Sequence, residues 1–95
     1  MSSSQQDAAT LANVSASATS VVLFAAAYGT AVTRIVQNDS AATLYLKYGT
    51  TASTTSYTVI VPPGAYYEFP QPLYAGVVHG IWSSATGAAR TTEVS

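Results

Sequence analysis

The chain has 95 residues, of which three are Lys or Arg, four are Asp or Glu and none is Cys. Charged side chains make up 7% of it, where a soluble globular domain carries roughly 25%, and Ala, Ser and Thr together fill 42 positions. Disulfides and thiolate metal sites are therefore excluded, no basic face exists to draw the chain to nucleic acid, and a lone His79 with four scattered acids is too small a ligand set for a metal, so no cofactor is expected.

Taken from the N-terminus, residues 1–12 are small or polar, with Leu11 the one large apolar side chain after Met1. They read as an extended arm outside the core, whose contact residues would be Ser2, Ser3, Ser4, Gln5, Gln6 and Leu11. Residues 1–7 lack both a basic residue and an apolar run, so they are not a secretory signal. The longest apolar run, residues 21–28, is eight residues long, against about 20 for a bilayer span. The expectation is a protein made in a cytoplasm with no membrane partner.

The Ala-rich stretch 8–28 could form a helix on propensity alone. Its many Ser, Thr, Val and Asn residues compete with that, and Val14/Ala16/Ala18 and Val22/Phe24 also fit alternation. Two short strands, near 12–17 and 20–26, are predicted. Residues 31–37 form the next strand, stopped by the turn cluster Asn38-Asp39-Ser40. Residues 43–48 place Leu44, Leu46 and Tyr48 on one face, and residues 57–61 do the same with Tyr57, Val59 and Val61. Pro62-Pro63-Gly64 ends pairing there. Residues 66–69 are a short strand closed by Pro70 and Pro72. Residues 77–83 alternate Val78/Gly80/Trp82 with Val77/His79/Ile81. The loop 84–87, with Gly87 late where a left-handed residue is needed, leads to a final strand at 88–94. Seven or eight short strands with frequent turns predict an all-β protein. The expected architecture is one antiparallel, jelly-roll-like β-sandwich over 13–95 with an N-terminal arm over 1–12.

Little in this sequence supports catalysis. His79, Asp39 and a Ser could be imagined as a triad, but there is no nucleophile-elbow sequence and His79 reads as a structural residue within a strand. Asp7, Asp39, Glu68 and Glu93 are better explained by turn bonding and by cross-strand pairing with Arg34 or Arg90 than as a glycosidase pair. No enzyme activity is expected. The aromatic residues are ambiguous, because a Tyr ring suits a core, an interface or a sugar. Tyr45, Tyr67 and Tyr74 are the predicted outward tyrosines, and Trp82 is predicted to anchor either the core or a subunit interface. A 95-residue domain without disulfides or metal draws stability most readily from oligomerisation.

The blocks QNDSAATLYLKYGTTAS (37–53), SYTVIVPPGAYYEFP (56–70) and GIWSSATGAARTTEVS (80–95) resemble a small β-sandwich module of tailed bacteriophages. The likeness covers about 31–95 and lies in the Asn-Asp-Ser turn, the L-Y-x-K-x-G strand, the Gly-x-Tyr-Tyr-Glu strand and the G-I-W-x-S-A-x-G-x-A-R hairpin. It implies a virion structural protein. With only a short arm attached, the module looks like a capsid cement or decoration protein that clamps the major capsid protein shell, as a trimer at local threefold points. The alternative is a head-fibre or tail-associated module that binds host-surface carbohydrate through exposed Tyr and Trp82.

Overall fold

The period-two patterning resolves into eight strands in the computed structural model, which describes residues 8–95. They are β1 (Ala9–Ser15), β2 (Val21–Phe24), β3 (Thr33–Asp39), β4 (Leu44–Tyr48), β5 (Val59–Val61), β6 (Tyr66–Glu68), β7 (Val78–Trp82) and β8 (Ala88–Val94). No helix occurs among the described residues.

The topology follows from one folding rule. β1 pairs with β8, β2 with β7, β3 with β6 and β4 with β5, all antiparallel. The first half of the chain thus runs back along the second as a single long ribbon that closes between β4 and β5. Rolling that ribbon up brings β3 against β8 and β4 against β7. The result is two four-stranded sheets, β1-β8-β3-β6 and β2-β7-β4-β5, packed face to face. This is the double-sheet jelly roll, as the sequence predicted.

The facing surfaces carry Val36, Leu44, Leu46, Val61, Val78, Trp82 and Ala89, each at most 2% exposed. Gly80 is inward as well, because a Cβ there would lie 2.8 Å from Leu23 Cδ1 and 3.0 Å from Leu44 Cδ1. β7 thereby gives up a side chain to let two leucines close over it.

The inner face of β3 is unusual in carrying Arg34 and Asn38, both fully buried, on either side of Val36. Burial of polar groups is tolerable only when each is bonded, and both are. Asn38 Nδ2 donates to the carbonyls of Ala42 and Val61, and its Oδ1 accepts from Ser40 Oγ and Trp82 Nε1. Arg34 Nε donates to Glu93 at 2.8 Å, its cross-strand neighbour. The other guanidinium nitrogens donate to the carbonyls of Ala25, Tyr74, Ala75 and Gly76. The guanidinium also lies 4.8 Å over the Phe24 ring. Arg34 thus ties two loops at one end of the sandwich, and Asn38 ties the β3–β4 loop to the end of β5 at the other. The exposed pair Arg90–Asp39 at 2.8 Å contributes little by comparison.

Three expectations are corrected. Residues 9–12, assigned to the arm, are the first half of β1, hydrogen-bonded to β8. Their small side chains hid the strand, since nothing large points inward there. Val22 and Phe24 do not share a face: the register shifts between them, so Leu23 and Phe24 are both buried while Val22 is exposed. This bulge inserts one residue and breaks the alternation. Tyr57 precedes β5 and is exposed, its ring set edge-on against Tyr45 rather than inward with Val59 and Val61.

Candidate interaction surfaces

β1 is the outer strand of its sheet, and its second edge is unpaired among the described residues. The bonds that run between Ala8 and Ser95 in both directions fix the phase of the ladder. Antiparallel pairs alternate between bonded and non-bonded. Thr10, Ala12 and Val14 therefore direct their backbone groups to β8, opposite Glu93, Thr91 and Ala89. Ala9, Leu11, Asn13 and Ser15 direct theirs to the open side. An edge of this kind is a template for another strand, and proteins usually blunt it with Lys, Pro or a bulge. Here there is none of these. The chain has no charged residue from Ala8 to Thr33. Leu11 stands 72% exposed on this strand.

Behind the edge lies a groove of about 200 Å³ between the two sheets, with Thr10 and Ala12 on one side and Leu23, Phe24 and residues 25–27 on the other. It exists because β1 projects past the short β2, so the inward residues Thr10 and Ala12 remain exposed. Glu93 reaches its floor, already bonded to Arg34.

The aromatic residues divide differently from the sequence reading. Trp82 is 1% exposed, at the centre of the core, and is no surface candidate. Tyr67 and Tyr74, predicted outward, pack against the core instead. Tyr74 stacks on Tyr48 with centroids 4.5 Å apart, Tyr48 stacks on Phe69 at 5.2 Å, and Tyr67 leans on Phe69 at 5.3 Å. The Tyr48 and Tyr67 hydroxyls bond to each other at 3.0 Å. Burial, reinforced by that bond, pushes the Tyr48 phenol far above the ordinary tyrosine range. Tyr45 does lie on the outer face of β4, beside Ile60 and Ile81 in register. The outward tyrosines missed in sequence are Tyr28 and Tyr66, 76% and 69% exposed, along with Tyr57. For Tyr66 the strand parity was legible, but which face was inward was not. The predicted arm contacts Ser2, Ser3, Ser4, Gln5 and Gln6 lie outside the described residues.

His79 has a serine partner after all. Ser20 Oγ lies 2.8 Å from His79 Nδ1 and accepts from the Ala52 amide at 3.0 Å. No carboxylate bonds the imidazole among the described residues. A triad base needs that third group to orient it. The arrangement instead pins the buried Ala52, and with it the loop 49–56, to β2 and β7. No group of three or more His, Asp or Glu that could hold a metal occurs among the described residues, and no helix there is long and apolar enough to cross a membrane.

Comparison with known proteins adds no relative: no family model, no curated protein and no solved structure matches the chain.

Proposed function

We propose that this protein is a bacteriophage virion structural protein, a capsid cement or decoration protein that binds and stabilises the shell of the major capsid protein. The observation that carries the reading is the seven-residue edge of β1, unpaired among the described residues, on a jelly roll with almost no charge. A free monomer is ill served by such an edge. A protein that spends its working life against neighbours in a lattice is well served by it, because main-chain bonds to a partner strand give affinity without charge. The jelly roll recurs in capsid proteins, and also in lectins; a fold alone does not decide function. The bacteriophage module resemblance supports the same reading, and implies a trimer on the capsid surface. The partners are further copies and the major capsid protein. The role is structural, not enzymatic.

The carbohydrate-binding alternative loses its strongest residue with Trp82 in the core. It keeps the outer pair Tyr45–Tyr57 and the exposed rings Tyr28 and Tyr66. Quantitative mass spectrometry of purified virions, with maps of particles bearing and lacking the protein, tests the proposal. Copies at every local symmetry position of the shell, and shells that burst at lower temperature without them, are expected. A handful of copies confined to the tail would overturn it.

A further inference from the structure

We infer that the open edge of β1 is a self-recognition surface, on which the β1 strand of a second copy pairs antiparallel about a twofold axis through Ala12. This goes beyond the shell reading and does not depend on it.

The argument starts from which backbone groups are free. Ala9, Leu11, Asn13 and Ser15 hold the outward N–H and C=O groups, by the phase of the β1–β8 ladder. In an antiparallel self-pairing centred on Ala12, Ala9 faces Ser15 of the second copy and Leu11 faces its Asn13. Every outward residue then meets an outward residue. All free groups along the strand are satisfied, in about eight hydrogen bonds. A centre between two residues would set outward against inward positions and satisfy none. Centres on Thr10 or Val14 leave part of the strand unpaired.

The side chains fit the same centre. About Ala12 the strand is nearly palindromic in shape: Ala9 mirrors Ser15, both small, and Thr10 mirrors Val14, both β-branched and near-isosteric. Ala12 itself falls at a non-hydrogen-bonded pair, where opposite Cα atoms approach to about 4.5 Å and side chains crowd most. Ala suits that position. β-branched residues opposite one another are favourable cross-strand pairs, and Thr10 faces Val14 of the second copy twice by symmetry. No ionised side chain lies on the strand, so no like charges meet across the axis. The second copy also stands beside the exposed inner residues Thr10 and Ala12 and walls the open side of the groove they line. The two β1-β8-β3-β6 sheets become one continuous eight-stranded sheet. A twofold contact does not close a trimer. It makes the free protein a dimer and, on a lattice, joins copies that belong to neighbouring assemblies.

The absence of Cys permits a direct test. A cysteine pair at a Cα separation of about 4.5 Å is within disulfide range. The Ala12→Cys variant, oxidised at micromolar concentration, is expected to run as a covalent dimer at twice the 9.8 kDa chain mass, while Leu11→Cys and Asn13→Cys remain uncrosslinked. Sedimentation velocity of the unmodified protein is expected to give a dimer. Leu11→Pro deletes an outward N–H and should give a monomer with an unchanged far-UV spectrum. Ala12→Pro deletes a ladder bond to β8 and should weaken the monomer itself. A wild-type monomer or trimer in solution, a dimer that survives Leu11→Pro, or crosslinking of Leu11→Cys in preference to Ala12→Cys would each overturn the inference.

Discussion

Trp82 and Asn38 illustrate how two side chains hold both sheets. Trp82 fills the core and donates its indole N–H to Asn38, which also bridges Ala42 and Val61. Trp82→Ala is expected to cost about 3–5 kcal/mol, enough to unfold a domain of this size, measured by denaturant titration. Asn38→Leu keeps the branched outline of the side chain but leaves the buried Trp82 indole N–H without its acceptor, a loss of about 1–3 kcal/mol, and removes the side-chain bonds to the Ala42 and Val61 carbonyls. It should be nearly as damaging despite adding apolar surface. Tyr48 gives a pH signature. Its neutral form is favoured by folding, first by burial and then by the Tyr67 hydroxyl. A raised folded-state pKa means that this contribution is intact below the unfolded value, about 10, and is lost as pH rises past it. Stability should fall steeply in strong alkali. Tyr48→Phe, which keeps the stacked ring, should flatten that fall in urea unfolding compared at about pH 9 and about pH 11. An unchanged slope would show that Tyr48 is not the group responsible.

At the scale of elements, the connection from β7 to β8, which crosses from one sheet to the other, depends on Gly87. Its φ is +95°, and a Cβ there would lie 2.5 Å from Ser40 Cβ and 2.8 Å from the Asp39 carbonyl. Those are backbone-fixed neighbours that cannot yield. Gly87→Ala is expected to destabilise by at least the ~1–3 kcal/mol of a strained backbone position, and thermal melting checks it. β1 makes the opposite case. It contributes little to the core, because only Val14 is half-buried and the other residues of the strand are exposed. Its hold on the fold is its ladder to β8. Amide exchange in the Leu11→Pro monomer should therefore be slow at Ala12 and Val14 and fast at Asn13 and Ser15. In the dimer, exchange at the latter two should slow as well.

For the whole molecule, the low charge decides how association responds to solution conditions. Long-range electrostatics between copies are weak when each carries a net charge of −1. Pairing that rests on main-chain bonds and buried apolar surface should be almost independent of salt. The dissociation constant of the dimer is expected to change less than about threefold when the Debye length falls from ~10 Å at 0.1 M to ~3 Å at 1 M. A steep weakening would mean that ion pairs, and not the β1 edge, hold the copies together.

The amino-acid sequence by itself determined the class of fold, because alternation in 43–48 and 77–83 and the turn residues at 62–64 and 84–87 are local signals, whereas Asn38 and Asp39, read as a turn, are the end of β3 in register with Ala89 and Ala88. The sequence also determined the poverty of ionisable chemistry, which is a matter of counting, and it pointed to cross-strand pairing of Arg34 or Arg90 with Glu68 or Glu93, of which the structure makes Arg34–Glu93 while Arg90 pairs with Asp39. Only the tertiary structure decided which face of a two-sided apolar strand is inward. That is why Tyr67 joined the aromatic cluster while Tyr66 was left outside; Tyr74 lies in the loop between β6 and β7, where strand alternation gives no signal. It alone extended β1 back to Ala9, since an edge strand that overhangs its partner sheet needs no large inward residue to mark it. The open edge is likewise a non-local property: which N–H groups of β1 are free depends on the register with β8, some eighty residues away along the chain.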